Sequence, residues 1–496
     1  MFEQSQILIA SQEKAIEFHQ QQISLLQLQL AELQKFIFSG KQEKFSSDPN
    51  AHALQAALFP NDKIGEVVVE SMKQVEGYEK KKTFVRVSHP GRKPLPDHLR
   101  KESIRLEPTE DVSGLKPVGE EVTEVLEYQP GELFIKEYIR PEYIKPNEDG
   151  TQAKRVIAQL PCMPIDKAII GPSLLAHLMV SKYVDHLPVY RQLQIFTRQK
   201  VDINHTTAIN WIKQGCDLII PLYEALVRQV LKANYLSVDE TTLKVIDQKV
   251  KGTTHQGYYW VYYDTSNKLA LFQYQKGRAG NYPKETLKDY QGYLQTDGYA
   301  AYDQFDAVEG ITTLNCWAHA RRKFYDAQDH DKERAEAVLT QIQLLYKIES
   351  HCQEKHYTPE QIKQYRQELS IPILESLHTL LKKQLNEALP QSPIGKALQY
   401  TLGRWDKLCV YTQHGGLRID NNLIENSIRP IALGRKNYLF AGSHDAAQRG
   451  AMLYSLFATC RLHHINPTEW LVEVLGKIKD HKINAIEQLL PQNYKK

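Results

Sequence analysis

Two apolar runs of strand-forming residues each end in an aspartate: Leu236-Ser237-Val238-Asp239 and Leu294-Gln295-Thr296-Asp297. A carboxylate on a buried strand is costly unless a cation or hydrogen bonds offset it. Two such strands in one sheet, able to bring their carboxylates together, make a site of hard oxygen donors for a cation such as Mg2+. Glu240, next to Asp239, points to the other face of a continuing strand and is set aside. The surrounding pattern supplies the sheet. YLSVDETTLKVI, GYYWVYYDTS and KLALFQYQ are three β-branched and aromatic runs separated by short turns,. A helix is expected near 282–291, followed by the runs YLQTDGYAAY and TTLNCWAH.

A third carboxylate is expected from a helix packed on that sheet. Asp420-Asn421-Asn422 offers N-caps, and Pro430 disfavours continuation past Arg429,. Glu425 lies in the middle of this short helix. An ion pair with Arg429, four residues on, is the alternative reading of the same residue.

At 496 residues the chain exceeds what one core holds, so several domains are expected,. Hydrophobic residues at 42% and charged residues at 24% suit a soluble globular protein,. No apolar run reaches the ~20 residues of a membrane helix, and the first residues lack a secretory pattern. Six scattered cysteines argue against a disulfide framework and for a reducing, cytoplasmic setting,. The net charge of +3 identifies no partner by itself. From Lys73 to Arg105, however, ten Lys/Arg stand against four Asp/Glu, and from Glu107 to Gly150 four stand against twelve. A basic arm beside an acidic module fits this asymmetry, as do two solvated faces of one domain.

Between 7 and 38, Ile9, Ile16, Ile23, Leu30 and Ile37 recur every seven residues, with Leu26 and Leu33 at the matching positions. This predicts a helix that pairs with a second copy, although a helix folded onto its own chain stays open. HPGRKPLPDHLRKE at 89–102 reads as a basic linker. Residues 118–145, with Val122, Val125, Phe134, Ile135, Tyr138 and Ile139, read as a small β-rich unit. LPVYRQLQIFTRQ and VDINHTTAINWIKQG, within a helical stretch from Ser173 to about Leu218, can form a helix-turn-helix,. LTQIQLLYKI and ILESLHTLLKKQL show the helical period between 328 and 400,.

Several segments together resemble the transposases of the insertion sequence 66 family. They are SVDETT at 237–242, LQTDGYAAYD at 294–303, CWAHARRKF at 316–324, NNLIENSIRPIALGRKNYLFAGS at 421–443 and LYSLFATCRLHHINPTEWL at 453–471. KYVDHLPVYRQ at 182–192 and GRKPLPDHLRKE at 91–102 extend the likeness. The resemblance implies a multi-domain α/β protein with a ribonuclease-H-like catalytic core and an Asp239-Asp297-Glu425 triad that holds two Mg2+ or Mn2+ ions. Three antiparallel strands with Asp239 on the first, then a helix and Asp297 on strand four, fit that core. Its implied organisation is a leucine-zipper-like helix at 1–45, a basic helical linker region at 46–105, a β-rich unit at 106–160 and a helix-turn-helix-like DNA-binding region at 161–232. The catalytic domain follows at 233–450 with a helical insertion at about 328–410, and a helical region closes the chain at 451–496.

Arg321, Arg322 and Lys323 beside the sheet, and Arg429, Arg435 and Lys436 near the Glu helix, are candidate phosphate contacts; ordinary surface cations are the alternative. Cys316 and His319 have half a zinc-site spacing, with no convincing second pair. The family's cysteine-pair zinc module would fall at DVSG, 111–114, and KPNEDG, 145–150, and neither contains cysteine. No structural zinc is therefore expected.

The implied activity is metal-dependent hydrolysis at the ends of a bacterial insertion element, then strand transfer into target DNA. The implied partners are double-stranded DNA (terminal repeats and target), other copies of the chain and accessory proteins of the same element, with no membrane. The expected location is the bacterial cytoplasm, at the nucleoid when on DNA. Two rivals remain: a catalytically inactive DNA-binding relic or regulator, and a nuclease that cuts without joining.

Overall fold

The computed structural model describes residues 162–494 except Lys167 and 247–251, two short strands between 142 and 157, and isolated residues between 131 and 138. The heptad helix at 7–38 and the basic linker at 89–102 lie outside the described residues. The chain divides into two units: residues 60–160, and one holding every element from 161 onward. In the smaller unit β1 (Glu142–Lys145) pairs antiparallel with β2 (Lys154–Ile157), Glu142 opposite Ile157. Phe134 and Ile135, assigned to the β-rich unit by alternation, lie outside any strand and are exposed. Among the described residues no strand pairs with them.

The larger unit begins with four helices: α1 (Pro172–Tyr183), α2 (Val189–Arg198), α3 (His205–Leu218) and α4 (Ile220–Val230). Asn204 starts α3 by accepting the Thr206 amide on its side chain, as an N-cap should. A five-stranded sheet follows, from β3 (Tyr235–Ile246), β4 (Thr254–Asp264), β5 (Leu269–Gln275), β6 (Gly292–Thr296) and β7 (Ile311–Asn315), in the order β5-β4-β3-β6-β7. The first three strands pair antiparallel, whereas β6 and β7 run parallel to β3. A short helix α5 (Asn281–Thr286) connects β5 to β6. Tyr259, Trp260, Val261, Tyr262 and Tyr263 are all buried, so β4 is covered on both faces.

Six helices follow β7: α6 (Trp317–Ala327), α7 (Lys332–Glu354), α8 (Pro359–Tyr365), α9 (Ile371–Glu387), α10 (Pro393–Leu402) and α11 (Trp405–Cys409). Trp317, Phe324, Val338, Ile342, Leu345, Leu377, Leu381 and Leu398 form their common core, which continues into the sheet through Tyr235 and Leu314. The chain then enters α12 (Asn422–Tyr438), α13 (His444–Leu462) and α14 (Pro467–Lys477). Helix α13 closes the β5 edge: Ser455 Oγ accepts the Phe272 amide at 2.8 Å, and from α4 Tyr223 donates to the Phe272 carbonyl at 2.8 Å. An edge strand covered in this way has no free ladder for another chain to join.

Pro430 does not end the Glu425 helix as its sequence position suggests; α12 runs through it to Tyr438. A proline withholds the amide that the Asn426 carbonyl needs one turn back. Arg461 of α13 supplies the replacement, donating from Nη2 to Asn426 O at 3.1 Å. Arg461→Leu should therefore lower stability by about 1–2 kcal/mol and loosen the first turns of α12. Thermal melting checks this, and an unchanged midpoint would show that Pro430 needs no such support.

Candidate active site

The sheet register fixes the first two carboxylates. Strands β3 and β6 are paired in parallel with Ser237 opposite Gln295. Two residues beyond that pair stand Asp239, within β3, and Asp297, the residue that follows the end of β6. Neighbouring strands lie ~4.8 Å apart, and the Asp297 charge acts on Asp239, so the two carboxylates lie close together at these strand ends. Asp239 Oδ1 accepts the Glu240 amide at 2.7 Å, and Asp297 Oδ1 accepts the Tyr299 amide at 2.8 Å. Burial, with the charges of Asp297, Glu240 and Glu425, pushes the Asp239 carboxyl well above the usual carboxylate range.

Glu425 comes from the first turn of α12, half-buried. Burial raises its pKa, while His319 opposes that shift most, with Arg322 and Arg429 adding to it. His319 Nε2 stands 4.0 Å from Glu425 Oε1, and its Nδ1 is buried with no protein partner. Asp420 is committed elsewhere, accepting the Asn422 amide at 3.2 Å and the Asn422 side-chain amide at 2.9 Å.

Glu240 turns the other way, as expected. Its carboxylate, with only 3% of the side chain exposed, meets Arg278 at 2.5 Å and accepts from the Tyr302 hydroxyl at 2.7 Å. It is nevertheless a buried anchor, and its replacement tests stability as well as chemistry.

The helices between α6 and α12 hold the Asp297 loop in place. Tyr400 donates to the Asp297 carbonyl at 2.7 Å, and Arg404 donates to the Gly298 carbonyl at 2.6 Å while lying over the Tyr400 ring. Gly298 has φ +83°, and a Cβ there would sit 2.5 Å from Arg404 Nε. Gly298→Ala should consequently shift the Asp297 backbone; a displacement near 1 Å can cost roughly 10²-fold in rate. The position of the Asp297 backbone in the structure of the variant checks this; an unmoved loop would contradict it.

The other candidates distribute unevenly. Arg321 is half-buried, and Arg322 and Lys323 are exposed on α6, Lys323 over the Tyr400 ring. Arg429 and Lys436 are exposed on α12, whereas Arg435 is engaged, donating to Thr242 Oγ1 at 2.7 Å. Cys316 is buried, and its Sγ accepts the Asn421 amide at 3.3 Å.

Among the described residues no three His, Cys, Asp or Glu side chains stand within reach of one metal ion. The donor chemistry still fits a hard cation. Asp239, Asp297 and Glu425 offer oxygens alone, and the largest charges acting on Asp239 are those of other carboxylates. Asn315 Oδ1, Asn421 Oδ1 and Asn422 Oδ1 are buried near the same sheet ends without a protein partner. Asn315, Tyr400 and Arg404 had no sequence signal, because each acts through a partner distant in the chain.

The model of the IS66 transposase family matches residues 167–449, which include all three acidic residues, and that of the IS66 C-terminal element matches 455–492. The uncharacterized protein y4hP of Sinorhizobium fredii is 30% identical over 84% of this chain and 79% of its own length. A second protein of that organism, y4qI, is 31% identical over 82% of this chain and 77% of its own length. No solved structure matches.

Proposed function

The chain belongs to the IS66 transposase family, and from that premise we propose that it cuts and joins DNA through Asp239, Asp297 and Glu425. The observation that supports the reading is the parallel pairing of β3 with β6, whose ends carry Asp239 and Asp297, together with the charges of Asp297 and Glu425 acting on Asp239. The strand order, three antiparallel strands then two parallel ones, supports a ribonuclease-H-like core interrupted by the helices from 332 to 409.

Divalent ions, when bound, would supply nucleophile activation and stabilise the leaving oxygen. Asp239 and Asp297, with Glu425, would hold them. The Tyr400 and Arg404 contacts keep Asp297 in register. Arg322 and Arg429 face the solvent near Glu425, and Lys323 is exposed over the Tyr400 ring; all three are suited to phosphate oxygens,. Helix α3 presents His205, Thr206, Thr207, Asn210 and Lys213 to solvent after a short connection from α2, the arrangement of a helix that enters a groove,. DNA with the element's ends, target DNA and accessory proteins of the element complete the proposed partners.

The test is cleavage of a duplex spanning an element end and its flank. Nicks that leave a 3′-hydroxyl in Mg2+ or Mn2+, and none in chelator, are expected. Tight end binding with no cleavage in either metal would favour the inactive relic. Residues 7–38 should also drive self-association. Ile23→Asp with Leu30→Asp should shift sedimentation toward monomer; a wild type that is monomeric even on DNA contradicts this.

A further inference from the structure

Helix α12 does not end quietly. After Tyr438 the chain makes a tight turn on Leu439, which has φ 56° and ψ −43°, and the Phe440 amide returns to the Tyr438 carbonyl. A γ-turn of this hand is rare and strained, more so for a residue with a large side chain. Strain is kept only where the surrounding structure enforces it. Here it is enforced at once: Ala441 binds back onto the end of β3, donating to Lys244 O at 2.8 Å and accepting from Ile246 N at 2.9 Å.

The turn projects apolar surface into water. Leu439 is 62% exposed and Phe440 42% exposed. These residues directly follow the C-terminal end of α12. On the helix itself Arg429, Leu433 and Lys436 follow Glu425 at helical intervals, and all three are exposed. Between Asn426 and Thr468 the chain carries five Lys or Arg and one acidic residue, Asp445. Lys244 is exposed on the adjoining strand end. An apolar tip beside the exposed Lys436 and Lys244 suits a polyanion with an apolar interior better than it suits a protein core.

We infer that the Leu439–Phe440 turn is an apolar wedge for duplex DNA, entering a base step while Lys436 and Arg429 meet the flanking phosphates. The inference rests on the DNA-cleaving reading of the acidic site at the other end of the same helix. Fourteen helical residues from Glu425 to Leu439 span ~21 Å, or about six base pairs at 3.4 Å each. Apolar side chains that enter a duplex unstack the step and bend it. The strained turn suits that task, because it holds the side chains out before DNA arrives.

The experiment uses the full chain and a duplex that spans an element end and its flank, with 2-aminopurine placed in turn at each position. Fluorescence should rise about six base pairs from the cleaved bond. Phe440→Ala should abolish that rise and weaken end binding roughly tenfold, within the range of one lost stacking contact. Phe440→Trp should retain both. Leu439→Gly, which relieves the positive φ, should melt no lower than wild type and still bind DNA less tightly, which separates the wedge from any folding defect of the alanine variant. Unchanged fluorescence and affinity in both Phe440→Ala and Leu439→Gly, alongside normal cleavage, would overturn the wedge and leave the catalytic reading standing. Loss of self-association without DNA in these variants, with DNA binding intact, would assign the surface to a second copy and equally overturn it. A wild type that neither binds nor cuts the duplex would remove the catalytic reading, and the wedge with it.

Discussion

Asp239→Asn, Asp297→Asn and Glu425→Gln should each lower DNA cleavage by roughly three orders of magnitude or more while end binding stays near wild type. Each change keeps the side chain's shape and removes the charge that a divalent ion requires. Losing such a ligand removes several kcal/mol of charge stabilisation, and every ~1.36 kcal/mol is tenfold in rate. End binding rests instead on Lys and Arg contacts elsewhere. The same logic gives a sign for stability. Burial and three neighbouring carboxylates raise the Asp239 pKa, so the folded chain without metal holds a proton more tightly than the unfolded one. Metal-free stability should fall as pH rises from the ordinary carboxylate value through the raised one. Asp239→Asn should remove that slope and melt higher than wild type at neutral pH without metal. Melting curves across pH, with and without Mg2+, check this. Glu240→Gln is the informative contrast: it should lower stability through the Arg278 and Tyr302 contacts yet retain cleavage at a temperature where it is folded.

Arg366→Ala should be the most destabilising single change in the helical insertion, by about 3–5 kcal/mol. Arg366 is 2% exposed and opens a short π-helical segment (Arg366–Ser370) between α8 and α9. Its guanidinium meets Glu349 at 2.8 and 2.6 Å and donates to the carbonyls of Tyr411, His414 and Leu417 at 2.7, 2.9 and 2.9 Å. Truncation would leave a carboxylate and three carbonyls without their donor in a closed space. The loop it gathers leads within a few residues to Asp420 and α12, so cleavage should fall in parallel with stability. Arg366→Lys keeps the charge but cannot reproduce the fork, and should recover only part of the loss. Chemical denaturation with a parallel cleavage assay measures both; a variant within 1 kcal/mol of wild type would be inconsistent with the packing described.

The acidic residues of the sheet were legible because each ends an apolar run, where a carboxylate is costly unless a cation or hydrogen bonds offset it. The strand content was legible from the density of β-branched and aromatic residues between 235 and 275. What could not be read was long-range. Glu240 was set aside as facing away from the aspartates, and its part as a buried anchor was hidden because its partners lie 38 and 62 residues away. Pro430 looked like a helix end because the donor that replaces its amide, Arg461, comes from the following helix. Arg366 sits in an ordinary helical period, and nothing local distinguishes it from a solvated arginine.

The central claim is that this chain joins DNA as well as cutting it, with one set of carboxylates. The most direct measurement sequences new junctions in bacteria that carry a plasmid-borne element and its companion genes, with this chain supplied as wild type or as Asp297→Asn. Junctions between element ends and new target sites are expected with the wild type, and none above background with the variant. Equal junction counts from both chains, or cut ends that accumulate without any junctions in the wild type, would contradict it.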